Sequence, residues 1–318
     1  MTDVPLARTS QSLPLSHRVP VLRWLSAPDQ GPLEYGRRLW LKLVLAAIFI
    51  VLYAPIAILI AFSFNDSRRN IVWQGFTTKY YGVAWRNDSL VEAFVNSLAI
   101  AVMCTIIATV IGAMTALLLW RFRFPGKAAT EGFMALPIVI PEICMGVALL
   151  VFFSRMGRWM DTFHSGPIAW WNELFSVWPL TLSAITAGHV AFSFPFVAVV
   201  VRSRMAGFNR ELEEASRDLG ANEWQTFWNV VFPFMKPGLI AGALLAFTLS
   251  LDDFVITFFT PGPDTVTFPV KVYSLVRRGV SPDVNAASTV LIVITLVATI
   301  LAMRILRPDK KPDKDKVA

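Results

Sequence analysis

The stretch Leu39–Phe64, LWLKLVLAAIFIVLYAPIAILIAFSF, decides the fold. Its single charged residue, Lys42, stands near its beginning. A helix that crosses a bilayer needs about 20 consecutive apolar residues. Lipid offers the backbone no hydrogen-bond partners, so such a segment must satisfy its own amides and carbonyls as a helix. The stretch therefore predicts a transmembrane helix.

Five further apolar stretches have a similar length. They are approximately Ala93–Trp120, Phe133–Phe153, Leu180–Val201, Gly238–Phe259 and Ala286–Leu306. Two of them are interrupted, one by Pro137, Pro141 and Glu142 and the other by Gly188, His189 and Pro195. The sequence thus predicts an all-α integral membrane protein with six transmembrane helices.

The composition agrees with a membrane protein. Of the 318 residues, 55% are hydrophobic and 16% are charged, whereas soluble domains have about 25% charged residues. The net charge of +7 does not indicate nucleic-acid binding, because the basic residues fall between apolar runs and form no single patch. Cys104 and Cys144 lie within apolar stretches, which favours packing roles over a disulfide scaffold.

The distribution of lysine and arginine predicts the orientation. Positive residues concentrate on the cytoplasmic side of membrane proteins. Of the 29 Lys and Arg residues, 20 lie in 1–38, 121–132, 202–237 and 307–318 or at Lys42 and Arg304. Both termini are therefore expected in the cytoplasm.

The same reading predicts the domain organisation. Residues 1–38 contain no apolar run long enough for a secretory signal, and their Arg, Pro and Ser content predicts a mobile cytoplasmic leader. Residues 307–318 predict a charged cytoplasmic tail. Between them, 39–306 is expected to be one membrane domain without an internal repeat.

The cytoplasmic segment 202–237, called the 202–237 loop below, predicts two short helices. In the first, apolar residues at helical spacing form one stripe, made of Phe208, Leu212, Ala215 and Leu219. Charged residues cover the rest of this helix, namely Arg210, Glu211, Glu213, Glu214, Arg217 and Asp218. Gly220 is expected to end this helix. Asn222 can cap the next one, with Gln225 in capping-box position.

The second helix of the 202–237 loop has an apolar face made of Trp224, Phe227, Trp228 and Val231. Pro233 and Pro237 are expected to end it. Periodicity alone is equally typical of an interfacial amphipathic hairpin that has no protein partner.

The loop also contains a recognisable spacing of residues. Glu214-Ala215-Ser216, three residues, Gly220, nine residues and then Val230-Val231-Phe232-Pro233 resembles the EAA loop of permease subunits in binding-protein-dependent ABC importers. Glu214, Ala215, Gly220 and Pro233 match that pattern directly. Ser216 replaces the second alanine, and Val230 and Phe232 replace isoleucine and leucine.

This resemblance implies a type I ABC importer permease fold in a bacterial inner membrane. It implies that Glu214, Ala215, Ser216, Gly220 and Pro233 couple the chain to an ATPase. The chain has no GxxxxGK[ST] stretch to hold phosphates, so ATP and Mg²⁺ would be bound by two separate ATPase subunits. A second permease and an external substrate-binding protein would complete the importer, and this chain itself would be neither an enzyme nor a cofactor protein.

Other stretches resemble the second permease subunit of bacterial spermidine/putrescine importers. They are ALPIVIPE at Ala135–Glu142, LSLDDFVI at Leu249–Ile256, FPVKVYS at Phe268–Ser274 and GVSPDVNA at Gly279–Ala286. The resemblance covers about residues 40 to 306 and implies a polyamine cargo. The same architecture with another small solute, such as ferric ion or a phosphonate, remains an alternative, as does a stand-alone ion-coupled transporter.

Three carboxylates lie within predicted spans. Glu142 falls about 14 Å along the third, and Asp252 and Asp253 about 21 Å along the fifth, so they could receive a polyamine at two depths. On a continuous helix Asp252 and Asp253 would point about 100° apart, so one could instead pair with a helix end or an arginine. Glu142 could equally serve a helix break after Pro141.

The remaining polar and aromatic residues suggest structural roles. His189 is expected to be a hydrogen-bonded packing residue, and His17 and His164 lack the spaced partners of a metal site. Trp170, Trp171 and Trp178 are typical of an aromatic belt, although they could touch the binding protein. Pro269–Gly279 predicts a short helix at the outer face, where Arg277 and Arg278 could meet that protein.

Overall fold

The computed structural model describes residues 39–67, 72–161, 181–260, 262, 265–277 and 282–305. The expected leader and tail lie outside this range, as do His17, His164, Arg278 and the three tryptophans from Trp170 to Trp178. The described residues are helical and contain no strand, apart from an isolated antiparallel bridge between Asn65 and Phe76.

The helices are labelled in chain order. They are α1 (Leu39–Phe62), α2 (Lys79–Trp85), α3 (Asp88–Arg121), α4 (Lys127–Val139), α5 (Glu142–Asp161), α6 (Leu182–Met205), α7 (Glu211–Asp218), α8 (Glu223–Thr226), α9 (Phe232–Leu251), α10 (Val255–Phe259), α11 (Phe268–Val276) and α12 (Pro282–Ile305). A π-helical turn, Phe227–Val231, joins α8 to α9.

Five helical segments of the described chain are long and apolar enough to cross a membrane. They are Trp40–Phe62, Asp88–Arg121, Leu182–Met205, Glu223–Leu251 and Pro282–Leu301. The bent pair α4 and α5 gives a sixth if it is counted as one span. The prediction of an all-α membrane protein is therefore confirmed, with five or six spans.

The third predicted span, Phe133–Phe153, is not one straight helix. α4 ends at Val139 and α5 begins at Glu142. The helix direction bends by 107° between them. Ile140 is extended, with φ −69° and ψ 134°, because the ring of the following Pro141 disfavours the helical conformation in the residue before it. Pro137 lies inside α4 without ending it.

The fifth predicted span, Gly238–Phe259, differs from the structure in its continuity and in its beginning. α9 stops at Leu251, and a new short helix, α10, starts at Val255. Asp252 and Asp253 therefore lie in a helix break and not on a continuous helix. At the other end, residues 223–251 form one continuous helical segment, so Pro233 and Pro237 do not end the second helix of the 202–237 loop.

The π-helical turn explains how the helix passes Pro233. The Phe232 amide bonds the carbonyl of Phe227, five residues back. This wider turn alters the hydrogen-bond register just before Pro233, which has no amide hydrogen to donate. Pro233 thus occupies the first turn of α9, where a missing donor is tolerated.

The central core lies where α3, α6 and α9 pack together. Its buried members are mostly small or β-branched, including Cys104, Ala108, Ala116, Val197, Val201 and Ala246. Ideal Cβ atoms placed on Gly112 and Gly242 would lie 2.7 and 2.9 Å from side-chain atoms of Val197. Both neighbouring helices therefore approach α6 at this residue. Cys104 is buried, as its expected packing role requires, whereas Cys144 is exposed, so the packing role expected for Cys144 is wrong.

The chain divides into two units, residues 1–58 and 59–318. The described part of the first is α1 up to Ile58, whose large apolar side chains are mostly exposed. Exposure of this kind is what a helix surrounded by lipid requires. The sites considered next lie in the second unit.

Candidate functional site

The turn within the 202–237 loop has the predicted geometry. Gly220 has φ +87°, in the left-handed region that favours glycine. The Asn222 side chain accepts a hydrogen bond from the backbone amide of Gln225 at 2.8 Å. In return, the Gln225 side chain accepts one from the backbone amide of Asn222 at 2.9 Å. This reciprocal capping box starts α8 directly after the turn. The predicted helix, glycine turn and helix are therefore confirmed.

The two faces of α7 differ from the prediction. Most of the apolar stripe is exposed: Leu212 is 51% and Leu219 90% accessible. Glu213, which the periodicity places on the polar face, is only 8% accessible. α7 therefore turns a carboxylate toward the rest of the chain and leaves leucines uncovered.

An ion pair explains the burial of Glu213. The Arg121 guanidinium, at the end of α3, donates to both Glu213 oxygens, at 3.1 and 3.4 Å. Arg217 lies 3.9 Å from the same carboxylate. Periodicity could not reveal the contact with Arg121, because these residues are 92 positions apart. The only local indication was the spacing of Glu213 and Arg217 by four residues.

Aromatic contacts also fix the 202–237 loop to α3. The Phe208 ring packs edge-on against Trp120 at 5.4 Å and against Phe234 at 5.1 Å, measured between ring centroids. The Arg210 guanidinium lies 5.1 Å from the Trp120 ring. A cavity of about 300 Å³ opens at this junction, lined by Trp120, Arg121, Phe122, Arg210, Glu213, Glu214 and Arg217.

The other loop residues singled out in the sequence have separate surroundings. Glu214 lines the cavity, and Ala215 and Gly220 are exposed. The Ser216 hydroxyl lies 3.2 Å from the Thr226 hydroxyl and so ties α7 to α8. Pro233 stands in the first turn of α9.

The second group of candidate residues lies at two helix breaks. Glu142 is the first residue of α5 and is exposed. Asp252 is exposed in the break after α9, while Asp253 beside it is buried. α10 packs on α5, where a Cβ on Gly146 would lie 2.8 Å from the Phe259 ring.

Asp253 is held in a buried hydrogen-bonded cluster. Its Oδ1 accepts bonds from the Thr257 amide at 3.0 Å and the Thr257 hydroxyl at 3.1 Å. His189 Nε2 lies 3.2 Å from the same oxygen. The expectation that His189 is a hydrogen-bonded packing residue is confirmed, since both ring nitrogens have partners.

The short helix predicted before the last span is also present, as α11. Its first amide, at Phe268, donates to the Ser97 hydroxyl at 2.8 Å, and Asn96 donates to the Val266 carbonyl at 3.3 Å. These bonds attach the segment to α3. The Arg277 guanidinium lies 5.3 Å from the Tyr273 ring, and its contact with a binding protein stays a prediction.

The described part of the chain offers no cluster for a metal ion. Among these residues, no group of three or more His, Cys, Asp or Glu side chains is arranged to hold one. The charged residues singled out above instead lie in two arrangements, one around Glu213 and one at the helix breaks.

Comparison with known proteins identifies several similar chains. Residues 108–307 match the family described as binding-protein-dependent transport system inner membrane component. The spermidine/putrescine transport system permease protein PotC of Escherichia coli strain K12 is 42% identical over 267 residues, which cover 84% of this chain and 94% of that protein. The putrescine transport system permease protein PotI of the same strain is 36% identical, covering 80% and 85%.

A solved structure shows the same fold. It is the crystal structure of a bacterial alginate ABC transporter in complex with an alginate pentasaccharide-bound periplasmic protein. One of its chains aligns with a TM-score of 0.60 and 18% identity, over 85% of this chain and 95% of that chain. At this identity the likeness concerns the fold alone.

Proposed function

Since this chain belongs to the family of binding-protein-dependent transport system inner membrane components, we propose that it forms, with a second related permease, the alternating-access path of an ABC importer for polyamines. Putrescine and spermidine are the expected cargo, because the similar PotC and PotI proteins are named for their transport. A membrane component of this family is not an enzyme, and ATP hydrolysis belongs to separate subunits.

The observation that carries the cargo proposal is the pair of helix breaks that expose Glu142 and Asp252. A charged side chain near the centre of a bilayer costs at least about 2.5 kcal/mol, so it usually serves a path or a partner. A polyamine supplies ammonium groups to neutralise such carboxylates. Its methylene segments can lie against aromatic faces.

The proposed topology counts the bent pair α4 and α5 as one of six spans, with both termini in the cytoplasm of a bacterial cell and the chain in its inner membrane. Residues 39–306 form the membrane domain, preceded by a cytoplasmic leader, 1–38, and followed by a charged tail, 307–318. The lysine and arginine distribution supports this orientation.

The 202–237 loop is proposed to dock on an ATPase subunit through Glu214, Ala215, Ser216, Gly220 and Pro233. The uncovered leucines of α7 and the 69% accessible Trp224 support a docking surface there. A movement of the loop could be transmitted to the helix break at Asp252, because residues 223–251 are continuously helical and end one residue before Asp252. At 1.5 Å per residue this helical segment is about 43 Å long.

The complete importer would contain this chain, a second permease, two ATPase subunits and a substrate-binding protein on the opposite membrane face. ATP and Mg²⁺ would bind only to the ATPase subunits, and no cofactor is proposed for this chain. Closure of the ATPase pair would move the loop and the helix that ends before Asp252, switching the access of the path between the two sides.

Uptake of labelled putrescine and spermidine tests the proposal. Cells lacking this chain would be complemented with wild type, Glu142→Gln or Asp252→Asn. Each neutral variant should raise the KM about ten- to hundredfold, because a contact to a charged group contributes about 1.5–3 kcal/mol. Asp88→Asn, which changes an exposed carboxylate in the first turn of α3, is the matched control.

Two results would contradict the proposal in different ways. Unchanged uptake in cells without the chain would remove polyamines as cargo, and ferric ion or a phosphonate would be tested next. Normal KM values in both carboxylate variants, with polyamine uptake still dependent on the chain, would remove Glu142 and Asp252 from the cargo path.

A further inference from the structure

We infer that His189 is a positioning residue, which holds Asp253 inside the protein as the anchor of the helix break so that Asp252 alone is presented to the cargo. This inference deepens the proposed function and rests on it for the meaning of the path. It divides the roles of two adjacent carboxylates that the sequence could not separate.

The contrast in burial between the adjacent carboxylates is the first observation. Asp252 is exposed, whereas the side chain of Asp253 is only 4% accessible. The Asp253 carboxylate accepts both the amide and the hydroxyl of Thr257, in the first turns of α10. The carboxylate therefore provides an acceptor for a backbone amide at the start of α10, the helix that follows the break. This role requires Asp253 to point inward.

The position of His189 is the second observation. Its Nδ1 lies 2.8 Å from the hydroxyl of Ser250, near the end of α9, and its Nε2 lies 2.9 Å from the hydroxyl of Thr257, in α10. One imidazole on α6 thus bonds a residue before the break and a residue after it. Tying both sides together fixes the conformation of the backbone between them.

The hydrogen-bond donors and acceptors of this cluster can be assigned from its geometry. The Thr257 hydroxyl has one proton, and it is donated to Asp253 at 3.1 Å. The same oxygen can then only accept from His189 Nε2, so Nε2 carries a proton and points it at Thr257 and Asp253. Nδ1 is then left to accept the Ser250 hydroxyl proton. Both imidazole nitrogens and the hydroxyls of Ser250 and Thr257 have partners in this arrangement.

The neighbouring residue, Gly188, brings α6 close enough for these contacts. A Cβ placed there would lie 3.1 Å from Ile256 and 3.2 Å from Leu149. A larger side chain would therefore push α10 and α5 away from α6. The close approach beside His189 places the imidazole within reach of both hydroxyls.

A double-mutant cycle in the complete importer tests the inference through uptake kinetics. His189→Leu should raise the KM for putrescine about tenfold or more, since it leaves Asp253 buried without its partner. Adding Asp253→Asn to His189→Leu should recover much of that loss, because no buried carboxylate is then left without the hydrogen bond that His189 donates. His189→Gln, which can still donate toward Thr257 and Asp253, should stay near wild type. The amount of each variant in the membrane is measured in parallel.

The opposite pattern would overturn the inference. If Asp253 binds cargo directly, Asp253→Asn should raise the KM as much as Asp252→Asn does, and it should worsen the His189→Leu variant. A purely packing role for His189 would show the same KM in His189→Leu and wild type, with only the amount of assembled importer reduced.

Thiol labelling separates this inference from the identity of the cargo. In a Cys144→Ser background, which removes the exposed native cysteine, Asp252→Cys should react rapidly with a cationic methanethiosulfonate reagent while Asp253 and His189 are intact. Adding His189→Leu should slow this reaction severalfold, because Asp253 then no longer holds the break in the conformation that exposes position 252. An unchanged labelling rate would overturn the anchor role, whereas absent polyamine uptake with the expected labelling would reject only the proposed cargo.

Discussion

The carboxylate of Glu213 accepts two hydrogen bonds from the guanidinium of Arg121, at 3.1 and 3.4 Å, and so joins α7 to the end of α3. This contact fixes the orientation of α7. It turns the polar residue inward and leaves Leu212 and Leu219 exposed. The surface that α7 leaves exposed is therefore determined by an ion pair on its opposite side.

Breaking this ion pair should uncouple ATP hydrolysis from transport. Glu213→Gln should reduce the interaction free energy between positions 121 and 213 by only about 1 kcal/mol, because Arg121 is partly exposed and solvent screens its charge. The loop would then follow the ATPase without moving α3 fully. We expect a lower ratio of solute imported to ATP hydrolysed in reconstituted vesicles.

The exchange variant Arg121→Glu with Glu213→Arg should restore part of this ratio. Asp218→Asn, on the exposed surface of α7, is a control that should leave it unchanged. An unaltered ratio in both Glu213→Gln and Arg121→Gln would show that this ion pair plays no part in coupling.

Substitutions at Gly220 should depend on backbone conformation and not on size. No atom lies within 4 Å of a Cβ placed there, yet φ is +87°. Gly220→Val should cost about 1–2 kcal/mol in the turn and reduce transport, and Gly220→Pro should abolish it while the chain still inserts. Gly220→Asn, which tolerates this conformation, should retain most activity in the same uptake assay. Equal activity of the valine, proline and asparagine variants would contradict a role for the turn.

Close packing around Val197 should make two glycines intolerant of a methyl group. Gly242→Ala places a Cβ 2.9 Å from Val197 Cγ1, and overpacking of this kind typically costs about 1–3 kcal/mol. The melting temperature of the purified chain should fall, and Val197→Ala should recover it. Gly112→Ala should be harder to rescue, because its Cβ also meets the Phe194 carbonyl at 2.9 Å.

Gly132→Ala is the matched control for these variants. It lies in α4 with nothing within 4 Å of the added Cβ, so the melting temperature should not fall. A decrease as large as that of Gly242→Ala would show that the close contact with Val197 is not the cause.

The exposed leucine next to the glycine turn should contribute to ATPase binding. Leu219 is 90% accessible, so Leu219→Glu should leave the fold of this chain intact. We expect less ATPase subunit to copurify with it, because a charge at an apolar interface must be desolvated. Glu211→Gln, at the exposed start of α7, serves as the control. Normal copurification of the ATPase with Leu219→Glu would place the docking surface elsewhere.

The outcome at α7 shows where periodicity fails. The pattern of Phe208, Leu212, Ala215 and Leu219 correctly predicts a helix, because its repeat is local. It predicts the wrong buried face, since burial of Glu213 depends on Arg121, 92 residues away. The same limit applied to Asp253, whose buried partner His189 lies on another helix.

The sequence by itself determined that the chain is a helical membrane protein and where most spans lie, since lipid forces long apolar segments to bond internally. It also determined the turn at Gly220 and the cap at Asn222, because both depend on neighbouring residues. Only the tertiary structure decided that the helix continues past Pro233 and breaks before Asp252, and that Asp253 turns inward while Asp252 stays exposed. Those features depend on a π-helical turn, on the approach of α6 to α10 and on contacts between distant residues, whose geometry no local pattern contains.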